Sequence, residues 1–563
     1  MRRHHSTTPR TTRTIRATRI TRTTRPIRPI RPIRPFRLSR LTRALGALLL
    51  VAATGALTMG AAPAEPRRAA IPLDQVIPAP VSVESGGTPY RITSGTHIRV
   101  DDTPEVRQVG TYLAEILRPS TGYRLPLTTQ GDGGIRLRLA KGPYGAEGYR
   151  LDSGAKGVTI TAQEPAGLFH GVQTLRQLLP AAVEKKSVQP GPWLVAGGTI
   201  QDRPRYAYRG AMLDVARHFF TVEQVKRYID QLALYKINKL HLHLSDDQGW
   251  RIAIDSWPRL ATYGGSTQVG GGPGGYYTKD EYREIVRYAA SRHLEVVPEI
   301  DMPGHTNAAL ASYAELNCDG VAPPLYTGTK VGFSSLCVNK EITYDFVDDV
   351  IREVAALTPG RYLHIGGDEA HSTSPEDYAA FMDRVQPVVA RYGKTVIGWH
   401  QLTGANPAKG ALAQYWGLDS TSEAEKAQVA RAARNGTRLI LSPADRVYLD
   451  MKYTKDTPLG LAWAGHVEVQ RSYDWNPGSY LPDVPESAVL GVEAPLWTET
   501  LSTSAHLETM AFPRLPGAAE LGWSPAVTHD WETYKVRLAA QAPRWDALGI
   551  AYYRSPQVPW PAA

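Results

Sequence analysis

From Tyr208 onward the chain alternates between short apolar runs and longer amphipathic ones. The short runs are YRGAMLDVAR from Tyr208, KLHLHLS from Lys239, EVVPEID from Glu295, YLHIGGDE from Tyr362, TVIGWHQ from Thr395, ALAQYWG from Ala411, RLILSP from Arg438 and VLGVEAPLW from Val489. Short apolar runs bounded by turn signals predict buried strands. Between them, apolar residues at helical spacing predict helices over 221–235, 278–292, 343–357, 375–392 and 422–435. Eight strands alternating with helices predict an α/β chain whose residues 206–563 form a (β/α)8 TIM barrel. Residues 65–205 predict a smaller α+β domain, with extended stretches at 90–93, 97–100, 134–139 and 157–162 and helices at 105–117 and 166–179. That segment clusters no His, Cys or carboxylates, so the chemistry is expected in the barrel.

Charge changes the picture only at the N-terminus. The 563-residue chain has a formal net charge of +10, which invites a nucleic-acid reading. Residues 1–43, however, hold 14 Arg and no Lys, Asp or Glu, with an Arg at every third position from Arg10 to Arg43. After residue 64 the balance is 50 basic against 54 acidic residues, so no nucleic-acid partner is expected. The apolar run at 45–62 and the small-x-small motif Ala62-Pro63-Ala64 complete the pattern of a secretory signal. Residues 1–64 are read as an Arg-rich leader and secretion signal, and the protein as secreted. No later stretch stays apolar for 18 residues, so no stable membrane association is expected after cleavage. Export would place Cys318 and Cys337 in an oxidising compartment, where a disulfide closing their loop would stabilise by ~3 kcal/mol.

In such barrels catalytic groups gather at the C-terminal strand ends. Those ends carry Arg217, then Asp246, then Glu299 and Asp301 running to His305, then Asp368-Glu369. Trp399, Trp416, Tyr448 with Asp450, and Trp497 with Glu499 complete the circuit. Indole rings stack on the apolar faces of sugars, while carboxylates and a guanidinium take hydroxyls, so the mixture points to a sugar pocket. Glycoside cleavage needs a carboxylic acid to protonate the leaving oxygen, and Asp368-Glu369 supplies a vicinal pair.

His364-Ile-Gly-Gly-Asp-Glu369 resembles the catalytic signature of the family 20 glycoside hydrolases, the β-N-acetylhexosaminidases. Four further stretches are similar to that family: Leu213-Asp-Val-Ala-Arg-His-Phe-Phe220, His241-Leu-His-Leu-Ser-Asp-Asp-Gln-Gly-Trp250, Pro298-Glu-Ile-Asp-Met-Pro-Gly-His305 and Glu493-Ala-Pro-Leu-Trp-Thr-Glu499. The likeness is greatest to exported bacterial exo-acting members. It implies a retaining exo-glycosidase that removes terminal β-linked GlcNAc or GalNAc, with the substrate's own 2-acetamido group attacking C1 to give an oxazolinium intermediate. By the same resemblance Glu369 is the general acid/base, Asp368 orients and charge-stabilises the acetamido group, and Tyr448 donates to its oxygen. Trp399, Trp416 and Trp497 would wall the acetamide and the sugar, with Trp463 a further stacking indole. Arg217 and Glu499 would hold O3 and O4, Asp450 the O4/O6 side, and Asp246 and His305 would fix the arginine and the catalytic pair. No cofactor and no metal are implied; the partner is a 2-acetamido-2-deoxy-β-hexoside from a chitooligosaccharide or a glycan.

Other readings stay open at this level. A disaccharide-releasing, lacto-N-biosidase-like relative would share these motifs, with the mouth loops deciding between the two. A metal-dependent barrel hydrolase would use His241, His243, Asp246 and His305, although the alternation His-Leu-His-Leu sends both strand histidines to one buried face. A lectin-like protein would bind the sugar without cleaving it. The glycine-rich stretch 264–275 lacks a P-loop ending and is expected to be a flexible loop after the second strand.

Overall fold

The structure, a computed structural model, describes residues 69–562; the leader and secretion signal read over 1–64 lie outside them. Eight parallel strands close into a barrel in chain order. They are β1 (Tyr208–Asp214), β2 (Lys239–His243), β3 (Glu295–Glu299), β4 (Tyr362–His364), β5 (Thr395–Trp399), β6 (Leu412–Tyr415), β7 (Arg438–Leu441) and β8 (Val489–Leu496). β8 returns to pair with β1, placing Met212 beside Pro495. Each predicted apolar run is a strand.

Helices α1 (Val222–Leu234), α2 (Lys279–Ser291), α3 (Glu341–Leu357), α4 (Pro375–Arg391) and α5 (Glu423–Arg434) follow β1, β2, β3, β4 and β6. Four of their starts are fixed by short polar side chains that satisfy otherwise unpaired N–H groups. Thr221 and Thr278 form capping boxes with Gln224 and Glu281, and Ser374 and Ser422 accept from the N–H of Asp377 and Glu425. The regular alternation lapses after β5, where His400–Gly404 is a 3-10 turn, and after β7, where the connection holds the short helices Ala444–Val447 and Val469–Tyr473. After β8, helix α6 (Arg514–Trp523) packs against β8 and β1.

The preceding domain is a seven-stranded mixed sheet packed by helices Pro104–Thr121 and Pro165–Gln177. The sheet includes Ser82–Ser85 and Gly198–Asp202, strands that the hydrophobic pattern does not reveal because their sequences, SVES and GTIQD, lack an apolar run. Charged groups dock this domain on the barrel. Glu147 accepts two hydrogen bonds from Arg209 of β1, at 2.5 and 3.1 Å, and buried Lys236 donates to Asp202 at 2.8 Å. Pairing is what makes burial of these charges tolerable.

The lumen is layered. Tyr208, Val297, Ile397, Leu412, Ile440 and Leu490 form an apolar plug, and Met212, Trp399, Ala444, Tyr448, Met451, Val467 and Trp497 form a second cluster toward the C-terminal strand ends. Among the described residues no helix is long and apolar enough to cross a membrane.

Candidate active site

Between those clusters the barrel floor is ionic. His241 and His243 of β2, Glu299 of β3, His364 of β4 and Glu493 of β8 are all fully buried. Glu299 is their hub: its Oε2 faces His243 Nδ1 at 2.5 Å and His241 Nε2 at 2.9 Å, and its Oε1 accepts the Trp399 indole N–H at 2.9 Å. His241 reaches on to Glu493 and His243 to Asp246, each at 2.8 Å. Burial alone would lower the pKa of both imidazoles, but the flanking carboxylates outweigh it. They carry His241 up to about 9 and His243 well above the ordinary value. Among the described residues, His241, Glu299 and His364 stand within ligating distance of one another, as do Asp246, Asp247 and His305. A protonated imidazole has no free lone pair for a metal, and His241 and His243 are held as counter-ions to the carboxylates around them, whereas burial lowers the pKa of His364 against the pull of Glu299.

The floor carries the mouth. β1 ends at Asp214, whose Oδ1 accepts from the N–H of Ala216 (2.8 Å) and Arg217 (3.0 Å) and whose Oδ2 accepts from Thr498 N–H (3.0 Å), tying the ends of β1 and β8 together. That turn sets Arg217 with Nη2 2.7 Å from Asp246 Oδ2, Nε donating to Gln248 at 3.2 Å, and its guanidinium carbon 4.8 Å from the Trp497 ring centre. The other oxygen of Asp246 faces His305 Nδ1 at 3.2 Å, and His305 Nε2 faces Glu369 Oε2 at 3.3 Å and Asp368 Oδ2 at 3.7 Å. Burial opposes the charge on His305, yet Asp246 and Asp368 raise its pKa well above the ordinary value. Burial likewise opposes ionisation of Asp246, yet Arg217 and His305 hold its carboxyl below the usual carboxylate range.

Two glycines bring the dyad out of β4. Gly366 lies at φ 64°, where a Cβ would stand 1.7 Å from Asp301 Oδ1; Gly367 lies at φ 98° and donates its N–H to that same oxygen at 3.0 Å. Only glycine fits there. Glu369 follows at φ 44° and His305 sits at φ 55°, both left-handed, a conformation that costs of order 1–3 kcal/mol in a non-glycine residue. Burial first, then the neighbouring Glu369 and Glu299, raise the pKa of Asp368, with His305 opposing. Burial and the neighbouring Asp368 raise the pKa of Asp301 well above the ordinary value.

Aromatic rings form the facing wall. Ring centres run from Trp399 to Trp497 at 5.9 Å, to Tyr448 at 6.2 Å, to Trp463 at 5.8 Å and to Trp416 at 5.9 Å. Trp399 is fully buried and Trp463 is 49% exposed, so the wall climbs from floor to rim. Burial and the carboxyl of Asp368 raise the Tyr448 pKa well above the ordinary value, which keeps its hydroxyl a donor. Neither carboxyl oxygen of buried Asp450 has a protein donor, and burial and Glu499 raise its pKa. Burial also raises Glu499, against the pull of Arg217.

Arg217, Asp246, His305, Asp368, Glu369 and the indoles thus stand around one mouth, with His241 and His243 in the floor beneath it. Cys318 and Cys337 form a disulfide in the loop after β3, which touches the turn beyond the dyad through Ser335 and Thr373 (2.6 Å) and through Ser372 and the Gly332 carbonyl (3.0 Å). Asp214, Gln248, Glu299, Asp301 and Glu493 complete the arrangement without having been assigned roles; their signal is a charged or amide group next to or inside a run that must be buried. The stretch 264–275 is not a flexible loop. Buried Arg251 donates to the carbonyls of Gly265, Gly275 and Thr267 at 2.9–3.0 Å, and to Val215 at 3.0 Å. Glycines that leave no side chain in the way let these carbonyls converge on one guanidinium.

Residues 206–378 and 372–526 match the sequence profile described as glycosyl hydrolase family 20, catalytic domain, and residues 74–203 match glycosyl hydrolase family 20, domain 2. The chain is 43% identical over 491 residues to a beta-N-acetylhexosaminidase of Cellulomonas fimi, an alignment covering 86% of this chain and 97% of that protein. The solved GH20 beta-N-acetylhexosaminidase from Streptomyces coelicolor A3(2) superposes with a TM-score of 0.87 at 80% identity, covering 88% of this chain and 100% of that one. A mutant Streptomyces plicatus beta-hexosaminidase in complex with product (GlcNAc) is as similar: TM-score 0.87, 80% identity, 88% of this chain and 99% of that one.

Proposed function

The chain belongs to glycosyl hydrolase family 20, and from that premise we propose that it is a β-N-acetylhexosaminidase releasing terminal β-linked GlcNAc or GalNAc, with retention, from chitooligosaccharides or glycans. The observation that carries the reading is the nearness of Asp368 and Tyr448, close enough for the carboxyl to raise the pKa of the hydroxyl. One is a buried acceptor and the other a buried donor, set before the indoles of Trp399 and Trp497. An acetamido group presents its N–H to such an acceptor and its C=O to such a donor. Held there, the carbonyl oxygen loses the freedom to rotate away from C1, which removes much of the entropic barrier to attack. As the oxygen bonds to C1 and the glycosidic bond breaks, Glu369 gives its proton to the leaving oxygen and Asp368 offsets the positive charge growing on the acetamido nitrogen. Glu369 then takes a proton from the water that attacks C1. Arg217, Glu499 and Asp450 would take the sugar hydroxyls, and the burial of Asp450 supports a pocket closed beyond the terminal residue, hence exo action. The product-bound Streptomyces plicatus enzyme supports GlcNAc as occupant.

The test is a panel of aryl 2-acetamido and 2-hydroxy β-glycosides assayed with and without EDTA, with the first-formed anomer followed by NMR. Turnover confined to the 2-acetamido members, unaffected by EDTA and giving the β product first, is expected. Equal hydrolysis of the 2-hydroxy members defeats the assisted mechanism; loss with EDTA favours the metal-dependent reading; binding without turnover favours the lectin. Release of disaccharide instead of monosaccharide from an oligosaccharide would favour the lacto-N-biosidase-like alternative. The leader over 1–64 and the disulfide support export, which fractionation of the producing cells checks.

A further inference from the structure

Arg514 opens α6 and is 1% exposed. Its hydrogen bonds all go to backbone carbonyls. Nη1 donates to Met451 (2.8 Å) and Val467 (2.9 Å), and Nη2 to Leu449 (2.6 Å) and Met510 (3.0 Å). The guanidinium carbon lies 3.9 Å from the centre of the Tyr453 ring. A buried cation satisfied only by neutral groups is costly, and one in the first turn of a helix also faces the positive end of the helix dipole. Stability alone does not account for such a choice.

The carbonyls it gathers do. Leu449 and Met451 flank Asp450, and Leu449 directly follows Tyr448, while Val467 ends the segment that carries Trp463. Backbone bonds bind these pieces together: Leu461 N–H to Asp450 O at 3.0 Å, Lys452 N–H to Leu461 O at 2.7 Å, and Val467 N–H to Lys452 O at 2.9 Å. Between the short helices Ala444–Val447 and Val469–Tyr473 the connection forms no helix or strand, so the convergence of carbonyls on one planar cation sets its shape there. The opposite side of the mouth is built alike, with Arg251 gathering the carbonyl of Val215, two residues before Arg217, together with those of the glycine-rich loop.

We propose that Arg514 is a positioning residue for the sugar site: by gathering the carbonyls of Leu449, Met451 and Val467, its guanidinium fixes Tyr448, Asp450 and Trp463 against the dyad after β4. The role rests on the sugar-site reading given above. Lysine keeps the charge but cannot reproduce the planar fork.

The experiment compares wild type with Arg514→Lys, Arg514→Gln and Arg514→Ala on aryl GlcNAc and GalNAc glycosides and with a thiazoline mimic of the intermediate, all corrected for folded fraction by near-UV circular dichroism. A displacement of Tyr448 by about an ångström lowers kcat/KM by roughly 100-fold, so losses of about 10- to 100-fold are expected. The thiazoline Ki should rise by the same factors across the series, because transition-state stabilisation is what is lost. The GlcNAc-to-GalNAc ratio should shift, since Asp450 faces the O4 side. Added guanidinium ion should restore part of the activity of Arg514→Ala, and methylammonium should not. Folded variants with wild-type kcat/KM and Ki, or losses that track the folded fraction alone, overturn the proposal; so does failure of all three to fold, which would make the guanidinium a folding requirement. A wild type inactive on 2-acetamido glycosides would instead remove the site reading itself.

Discussion

Replacing Asp368 by Asn keeps the shape of the side chain and removes its charge. The side chain is 12% exposed, so solvent screens it little. Two unit charges about 4 Å apart at an effective dielectric of 20 interact by ~4 kcal/mol. Losing that attraction to the developing oxazolinium corresponds to about a thousandfold in kcat/KM. The pH dependence sharpens the test. Burial and Glu369 raise the Asp368 pKa, so wild-type kcat/KM should fall as pH drops through a value above the ordinary aspartate range, and this acid limb should vanish in the variant. Stability should move the other way. A carboxyl whose folded pKa is raised favours the fold below its unfolded pKa and loses that contribution as pH rises, so at neutral pH the wild type carries a buried anion that the variant lacks. Asp368→Asn should therefore melt at or above the wild-type temperature at pH 7. Steady-state kinetics on an aryl 2-acetamido glycoside from pH 3 to 9, with thermal melts on the same samples, measures all three quantities. Turnover within tenfold of wild type, or an acid limb unchanged in the variant, refutes the electrostatic role.

Glu369→Gln should lower kcat most on substrates with poor leaving groups and least on nitrophenyl glycosides; a uniform loss across leaving groups would show that Glu369 is not the acid. The folded pKa of His241, raised to about 9, exceeds the ordinary imidazole value, so the Glu493–His241–Glu299 bridge stabilises fully below pH ~6.5 and its contribution is lost as pH rises through 9. Denaturant titrations should show about 3 kcal/mol disappearing over that window in the wild type and far less in His241→Gln, whereas a flat wild-type profile contradicts the bridge. The double replacement Cys318→Ser with Cys337→Ser removes a cross-link spanning 19 positions and should cost ~3 kcal/mol, seen as a lower Tm and as new cleavage within 318–337 in limited proteolysis. An unchanged Tm would assign the bridge no stabilising part.

The barrel was legible because its strands are continuous apolar runs and its helices carry apolar residues at helical spacing, both local signals. The strands SVES and GTIQD were not, since their pairing depends on neighbours far along the chain. The mouth was legible in kind, because carboxylates, indoles and an arginine recur at strand ends. Its support was not. His241 reads as a buried strand histidine and Glu299 as a strand-end carboxylate, with nothing linking the two until the barrel closes and brings them to 2.9 Å. Arg514 lies 65 positions from Leu449, and nothing in either segment announces the contact. The glycines of 264–275 suggested freedom, whereas Arg251 turns the same lack of side chains into a fixed point.

The chain of carboxylates and imidazolium groups beneath the pocket, Glu493–His241–Glu299–His243–Asp246, draws its members from β8, β2 and β3 and the turn beyond β2. Exchange any single member for a neutral residue and an orphaned charge is left on a different part of the fold, a penalty of several kcal/mol that only a second, simultaneous change would relieve. Adaptation to new aglycones therefore has few one-step routes through the basement of this barrel. Its accessible paths run along the lip, where Trp463 and the cystine loop border solvent and a change in shape leaves no ion stranded.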